Sequence, residues 1–130
     1  SNVLFWNGNT PSLDSVKAVL AHLTDQGFTP GVMFDASAGY RIGDHYQDDA
    51  ELARRLRLPP DRVLVVPKGT VADQVILQAA RDLKARVVTN DRYRDWAGEF
   101  PEVVTPGFLI RGEVTDGKVW LDLQASARPG

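Results

Sequence analysis

The chain has 130 residues, of which 43% are hydrophobic and 25% charged, and these values are typical of one globular domain. The absence of cysteine excludes disulfides and thiolate metal sites and fits a reducing, cytoplasmic compartment. No run is long enough for a membrane helix and no signal peptide is visible, so we expect no membrane contact within this chain. The formal net charge of −2 excludes a general electrostatic affinity for nucleic acid, so any such contact must rely on a local basic patch.

The first third of the chain predicts a short strand, a helix and a second strand. Residues 3–6 form a short apolar run, which Asn7-Gly8-Asn9 interrupts. Thr10-Pro11-Ser12 is typical of a helix start, and Gly27 of a helix end. Between them, apolar residues recur at helical spacing: Leu13, Val16, Val19, Leu20 and Leu23. Residues 31–35 then predict a buried strand that ends in an acid.

The middle of the chain repeats this pattern. We predict a loop over residues 36–43, and a helix that begins at Gln47-Asp48-Asp49 and stops at Pro59-Pro60. Residues 62–66 predict the next strand, and the continuous apolar run over residues 63–66 favours a parallel strand covered on both faces. The spacing of Thr70 and Asp73 is that of a capping box, and it predicts a helix that continues through Leu83.

The last third begins with a strand at Val87-Val88, which leads into a polar turn and a further predicted helix. Asp116-Gly117 lies between the apolar runs 108–110 and 119–121, which predicts a hairpin. We expect residues 124–130 to form a flexible tail. The alternation of strands and helices predicts a single α/β domain over residues 1–130: a three-layer α/β/α fold with a mostly parallel central sheet and a C-terminal β-hairpin.

Four acids follow predicted strands or begin predicted helices: Asp35, Asp73, Asp91 and Asp95. In this topology, strand carboxyl ends and the helix starts that follow them share one edge of the sheet, which is where α/β proteins bind ligands. Carboxylate oxygens without cysteine or a histidine pair suit Mg²⁺ or Mn²⁺. Such an ion can activate water and stabilise a phosphoryl transition state. Lys68, Arg92 and Arg94 are placed to hold phosphates.

Each acid also has a purely structural interpretation. Asp73 completes the capping box, and Asp91 caps the following helix. Asp95 pairs with Arg92 or Arg94 at the surface, where such a pair contributes about 0–1 kcal/mol. Asp35 is an ordinary acid at a strand end. Spacing alone leaves both interpretations open.

The segment Thr89-Asn90-Asp91-Arg92-Tyr93-Arg94-Asp95 resembles the Ser-Asn-Asp-x-Tyr-Arg-Asp segment of the NYN/PIN-like ribonucleases, specifically the Regnase-type domain. That family has an acidic pair at the start of the preceding helix. Its second acid aligns without a gap on Asp73, which is 18 residues before Asp91 (91 − 73). Ala72 stands in place of the first acid, so one acidic group of the family pattern is absent.

The start of the chain allows two alignments with the family's first strand, which ends in Asp-Gly-Ser-Asn-Val. In the favoured one, Ser1-Asn2-Val3 is the end of that motif, and the first catalytic aspartate and most of the central strand lie upstream of Ser1. In the other, residues 3–6 are the strand and Asn7 lies near the aspartate's position. Because the chain does not begin with Met, we expect it to be a processed or cut piece, and Ser1-Asn2 is alternatively a cloning remnant.

The resemblance implies Mg²⁺-assisted or Mn²⁺-assisted hydrolysis of RNA, with a metal-activated water as nucleophile. It implies that Asp73, Asp91 and Asp95 are catalytic, metal-holding carboxylates, joined in the metal site by Asn2. From position we assign six residues to substrate binding: Asp35, Tyr40, Lys68, Asn90, Arg92 and Arg94. We expect Tyr40 or Tyr93 to stack on a base. RNA is the expected partner, and the chain is a candidate homo-oligomer.

Two other functions are compatible with the pattern. The missing acid at Ala72, and the lack of the family's first aspartate within this chain, favour a catalytically silent RNA-binding or protein-interaction module on the same fold. A nucleotide-binding α/β domain of another kind is disfavoured, because the chain has neither a Gly-x-Gly-x-x-Gly segment nor a Walker loop.

Overall fold

A computed structural model describes residues 2–6, 11–43 and 45–123 as a mixed α/β structure. The α-helices are α1 (Leu13–Asp25), α2 (Ala38–Ile42), α3 (Asp49–Leu56) and α4 (Ala72–Leu83), and short 3₁₀ helices occupy Asn2–Phe5, Pro60–Arg62, Arg94–Trp96 and Pro101–Val104. The strands are β1 (Val32–Phe34), β2 (Val63–Val65), β3 (Val87–Val88), β4 (Leu109–Ile110), β5 (Gly112–Thr115) and β6 (Lys118–Leu121). None of the described helices is long and apolar enough to cross a membrane.

The described strands form three pairs. β1 and β2 are parallel, with Met33 opposite Leu64, and β3 and β4 are parallel, with Val88 opposite Ile110. β5 and β6 form an antiparallel hairpin around Asp116-Gly117. The described strands therefore do not form the continuous central sheet that the alternating pattern predicts, although the two crossover pairs are parallel as expected.

Helix α1 connects the two parallel pairs through neighbouring stripes of its apolar face. Val16 and Leu20 belong to one buried cluster with Phe34 of β1 and with β2 residues. Val19 and Leu23 belong to a second cluster, which includes Ile110 of β4 and the hairpin. At the N-terminus of α1, the Ser12 hydroxyl accepts a hydrogen bond from the Asp14 N–H at 3.1 Å, and Gly27 follows the helix with φ of +91°.

A third buried cluster joins α4 to the segment after β3. It consists of Leu77, Tyr93, Phe100 and Val103, with Trp96 packed against its edge. A bidentate ion pair reinforces this contact, since Arg81 of α4 donates to both carboxylate oxygens of Glu102 at 2.6 and 2.7 Å. The Arg81 guanidinium also lies 4.4 Å from the centre of the Phe100 ring. The first turn of α4 and the loop after β3 are thereby held side by side.

Several sequence predictions are confirmed. α1 begins after Ser12, α3 begins at Asp49 with the Asp48 side chain as its N-cap, and the strands of residues 32–34, 63–65 and 87–88 lie where the apolar runs predict them. The Asp116-Gly117 turn is also confirmed, with Asp116 at φ of 51° and Gly117 at 77°.

Four local predictions are wrong. Residues 2–5 form a 3₁₀ helix, so the apolar run at the start of the chain is not a strand. Residues 38–42, predicted as loop, form the short helix α2. The segment after Asp91 forms only a 3₁₀ turn at Arg94–Trp96, because the preceding residue has left-handed backbone geometry. The first arm of the hairpin is residues 112–115, since residues 109–110 pair with β3 instead. The predicted tail over 124–130 lies outside the described residues.

Candidate functional site

The candidate site is built on consecutive turns at the carboxyl end of β3. Thr89, which is 2% exposed, continues the β3 pairing through a hydrogen bond from its N–H to the Ile110 carbonyl at 2.9 Å. The Thr89 hydroxyl accepts a hydrogen bond from the Asp91 N–H at 3.0 Å, and the Asp91 Oδ1 atom accepts one from the Tyr93 N–H at 2.8 Å. These side-chain turns explain why the chain leaves the strand in a tight polar loop rather than a helix.

Tyr93 is the buried residue that packs this loop against the third cluster. Its φ of 49° lies in the left-handed region, which is costly for a bulky residue and typical of constrained functional loops. The side chain is 7% exposed and packs with Leu77 and Phe100. The pKa of Tyr93 is raised to about 12, mainly by burial; the negative charges of Asp73 and Asp91 add to this rise, and a hydrogen bond with Thr89 acts against it. The phenol therefore stays neutral, with both carboxylates near it.

Asn90 ties this loop to the start of the hairpin. Its amide nitrogen donates to the Gly112 carbonyl at 2.8 Å, and its amide oxygen accepts from the Gly112 N–H at 3.0 Å. The amide thus replaces one rung of a strand pairing, and it fixes the residue next to Asp91 relative to β5. This contact gives Asn90 a structural role that spacing did not predict. Its assignment to substrate binding stays a prediction.

Asp73 belongs to a different element of the site, helix α4. It lies in the first turn of α4, and its Oδ2 atom accepts a hydrogen bond from the indole N–H of Trp96 at 3.3 Å. The Trp96 ring packs against Phe100, with ring centres 6.3 Å apart. The predicted capping box does not form: Val71 is the N-cap residue of α4, and no side-chain cap bond is present there. The structural interpretation of Asp73 as a helix cap is therefore wrong.

These elements enclose one open pocket of about 270 Å³. It is lined by Asp73, Asp91, Arg92, Tyr93, Arg94, Asp95 and Trp96. The pocket thus brings together the three acids that the resemblance implicates and both arginines of the same segment. Asp95 forms no ion pair with Arg92 or Arg94 within the described ranges, so the proposed surface pair is wrong. Arg92, Arg94 and Asp95 are all exposed at the mouth of the pocket.

The donor chemistry of the pocket suits a hydrated Mg²⁺ or Mn²⁺ ion. Asp73 and Asp91 each use one oxygen in a protein hydrogen bond, which leaves the other without such a bond among the described residues. No three acid or histidine side chains of the described residues are close enough to form a ready-made metal site. Mg²⁺ commonly keeps several waters and takes only one or two carboxylates, so the residues present fit that mode of binding.

The remaining predicted site residues lie outside the lining of this pocket. Lys68 is exposed in the turn after β2, and Tyr40 is 61% exposed on α2. Asn2 begins the first 3₁₀ helix, but its side chain is outside the described part of the structure. Because Tyr93 is buried, its ring is not available to stack on a base, whereas stacking on Tyr40 stays a prediction.

Asp35 forms a separate turn after β1. Its Oδ1 atom accepts hydrogen bonds from the Ser37 N–H at 2.9 Å and the Ser37 hydroxyl at 2.5 Å. Burial acts to raise the pKa of Asp35, but these hydrogen bonds outweigh it and lower the pKa below its ordinary value. The carboxylate is therefore committed to the loop that begins α2, which is its structural interpretation.

Trp96 is the residue of the pocket that sequence reasoning missed. Its contact with Asp73 joins residues 23 positions apart, and no periodic pattern indicates it. The only available signal was its place immediately after Asp95, inside the recognised segment.

A pocket lined by several aspartates in a mixed α/β domain is a feature expected of a PIN-like nuclease domain. The family model described as the Zc3h12a-like ribonuclease NYN domain matches residues 1–106, and the chain belongs to this family. A comparison with curated proteins gave no significant match. Membership of a ribonuclease domain family indicates nuclease activity for the domain.

Proposed function

We propose that this domain is a metal-dependent ribonuclease that cuts RNA phosphodiester bonds internally. The observation that carries the proposal is that one pocket is lined by three carboxylates and two guanidinium side chains: Asp73, Asp91, Asp95, Arg92 and Arg94. Carboxylates alone would repel the phosphates of RNA, and arginines alone would only bind them. Both groups together provide a cation site next to a phosphate site.

In this proposal Asp73 and Asp91 hold the cation directly or through water, and Asp95 joins them from the pocket mouth. When bound there, Mg²⁺ or Mn²⁺ supplies an activated water and neutralises charge on the phosphoryl oxygens. The exposed guanidinium groups of Arg92 and Arg94 bind the RNA backbone on either side of the reacting phosphate. The neutral phenol of Tyr93 adds no further negative charge near Asp73 and Asp91.

The proposal places this site on a three-layer PIN-like fold. Its support is the position of α1, which packs with one stripe against the β1–β2 pair and with the adjacent stripe against the β3–β4 pair. A guanidinium–aromatic contact also brings the segments before β1 and β3 together, with Arg86 at 5.1 Å from the Phe28 ring centre. We propose that the two pairs are parts of one mostly parallel sheet.

The test is cleavage of unstructured RNA by the 130-residue protein, with linear and circular substrates compared in Mg²⁺. Cutting of the circle, abolished by EDTA and restored by added Mg²⁺, supports an endonuclease. Binding of RNA without cleavage in Mg²⁺ or Mn²⁺ favours the catalytically silent module, to which the absence of a ready-made three-acid group among the described residues also points. Cleavage that EDTA leaves unchanged would overturn the metal-dependent mechanism.

A further inference from the structure

The contact between Trp96 and Asp73 connects the two sides of the pocket. Asp73 belongs to the first turn of α4, and Trp96 ends the 3₁₀ turn that follows Asp91. The Trp96 indole N–H donates to the Asp73 Oδ2 atom at 3.3 Å, and this is the only side-chain hydrogen bond that Asp73 makes with the described residues. An N–H can only donate, so this bond requires the Asp73 atom to be an acceptor, as it is in the ionised carboxylate.

The direction of the indole N–H is fixed by packing. The Trp96 ring is partly buried and lies against Phe100 at an interplanar angle of 59°. Phe100 itself is 1% exposed and carries the Arg81 guanidinium over its ring. A ring held in this way presents its N–H at one place, so the Asp73 carboxylate meets a preorganised donor rather than a mobile one.

We propose that Trp96 is a positioning residue for Asp73. By taking Oδ2, the indole N–H sets the orientation of the carboxylate and leaves Oδ1 as the oxygen available to a divalent cation in the pocket. This inference rests on the proposed metal-dependent function and adds a residue to it. Hydrogen bonds that orient a metal-holding group change metal affinity without touching the metal themselves.

The first experiment measures Mn²⁺ binding by calorimetry for the wild-type protein, Trp96→Phe and Trp120→Phe. Phenylalanine keeps an aromatic ring against Phe100 but removes the N–H. Trp120 is 54% exposed on β6 and serves as the matched control. We expect Trp96→Phe to weaken Mn²⁺ binding about tenfold, with a melting temperature close to that of the wild type, and Trp120→Phe to leave the affinity unchanged.

The second experiment observes the contact without metal. The protein has three tryptophans, so its indole N–H groups give three NMR cross-peaks, and the peak lost in Trp96→Phe belongs to Trp96. We expect this peak to shift in Asp73→Asn. The Trp120 peak should stay in place in that variant.

The outcomes separate this inference from the proposed function. Wild-type Mn²⁺ binding that Trp96→Phe does not weaken, or a Trp96 peak indifferent to Asp73→Asn, overturns the positioning role alone. A wild-type protein that binds no Mn²⁺ and cleaves no RNA overturns the proposed function, and the positioning role falls with it.

Discussion

The side-chain amide of Asn90 pairs with the backbone of Gly112 in both directions, donating at 2.8 Å and accepting at 3.0 Å. The pair fixes the residue before Asp91 to the first residue of β5. The geometry of the candidate site therefore depends on the hairpin, which lies more than 20 residues further along the chain.

Asn90→Ala should destabilise the protein by about 1–3 kcal/mol, because two partly buried backbone groups of Gly112 lose their partners. Urea unfolding monitored by circular dichroism measures this change. Gln78→Ala, which removes an exposed amide that hydrogen-bonds Asp82 on α4, is the matched control. An unfolding free energy equal to that of the wild type would show that the Asn90–Gly112 pair does not form in solution.

Gly112 has no room for a side chain. A methyl group there would lie 2.5 Å from both the Trp120 carbonyl and a Leu121 methyl, and 2.9 Å from the Trp6 ring. We expect Gly112→Ala to cost about 1–3 kcal/mol, since the carbonyl belongs to the paired strand and cannot move freely. Gly98→Ala is the control, because its methyl would meet nothing within 4 Å. Equal melting temperatures for the two variants would contradict the close approach of β5 and β6.

Ionisation of the Tyr93 phenol should destabilise the protein at high pH. Burial raises the pKa of Tyr93 to about 12 from an ordinary value of 10.0, so the folded state holds the phenolic proton more tightly than the unfolded chain. The resulting stabilisation is complete below pH 10 and is lost as the pH rises from 10 to 12.

Alkaline absorbance titration tests this prediction directly. The wild-type protein should show a tyrosine that ionises near pH 12, and Tyr93→Phe should lack that phase. Tyr46→Phe, which removes a tyrosine that is 47% exposed, should retain it. A phase near pH 12 that persists in Tyr93→Phe would show that another group is responsible.

The ion pair between Arg81 and Glu102 should make the free energy of unfolding depend on pH in the acid range. The two hydrogen bonds from the Arg81 guanidinium lower the pKa of Glu102 to about 2 from 4.5. The stabilisation is therefore present above pH 4.5 and is lost as the pH falls from 4.5 towards 2.

Glu102→Gln should lower the urea midpoint at pH 7, and the difference from the wild type should shrink between pH 4.5 and 2. Glu113→Gln, on the exposed face of β5, should show no such convergence. A difference between wild type and Glu102→Gln that is the same at pH 7 and pH 2.5 would mean that the lost stability does not come from the carboxylate charge.

Local patterns predicted most of the helices and strands because they depend on residues close in sequence. The apolar spacing of Leu13 to Leu23 and the capping residues Ser12 and Asp48 are sufficient to define α1 and α3. The wrong predictions arise where distant contacts decide. Residues 109–110 pair with β3 rather than with the hairpin, and Gly112 forms hydrogen bonds with Asn90; nothing in the local pattern of residues 108–121 indicates either contact.

In the candidate site, too, features set by residues close in sequence were predictable and features set by distant contacts were not. The acids Asp91 and Asp95 and the arginines between them are contiguous, so their presence in one pocket was predictable from the segment itself. Asp73 was assigned to the same site from its position at a predicted helix start and from the resemblance. The orientation that we propose for Asp73 depends on Trp96, whose indole N–H lies 3.3 Å from the carboxylate and whose ring packs against Phe100. Such packing has no signature in residue spacing.

The rate of RNA cleavage by Asp91→Asn is the most direct test of the account. Asparagine keeps the size of the side chain and an oxygen to accept the Tyr93 N–H, but it removes the charge that a cation requires. Asp116→Asn is the matched control, because Asp116 lies at the hairpin tip with φ of 51°, a conformation that asparagine tolerates. We predict that in Mg²⁺ Asp91→Asn loses at least about a hundredfold in rate while Asp116→Asn cleaves like the wild type. Cleavage by Asp91→Asn at the wild-type rate would contradict the proposed role of Asp91 as a metal-holding carboxylate.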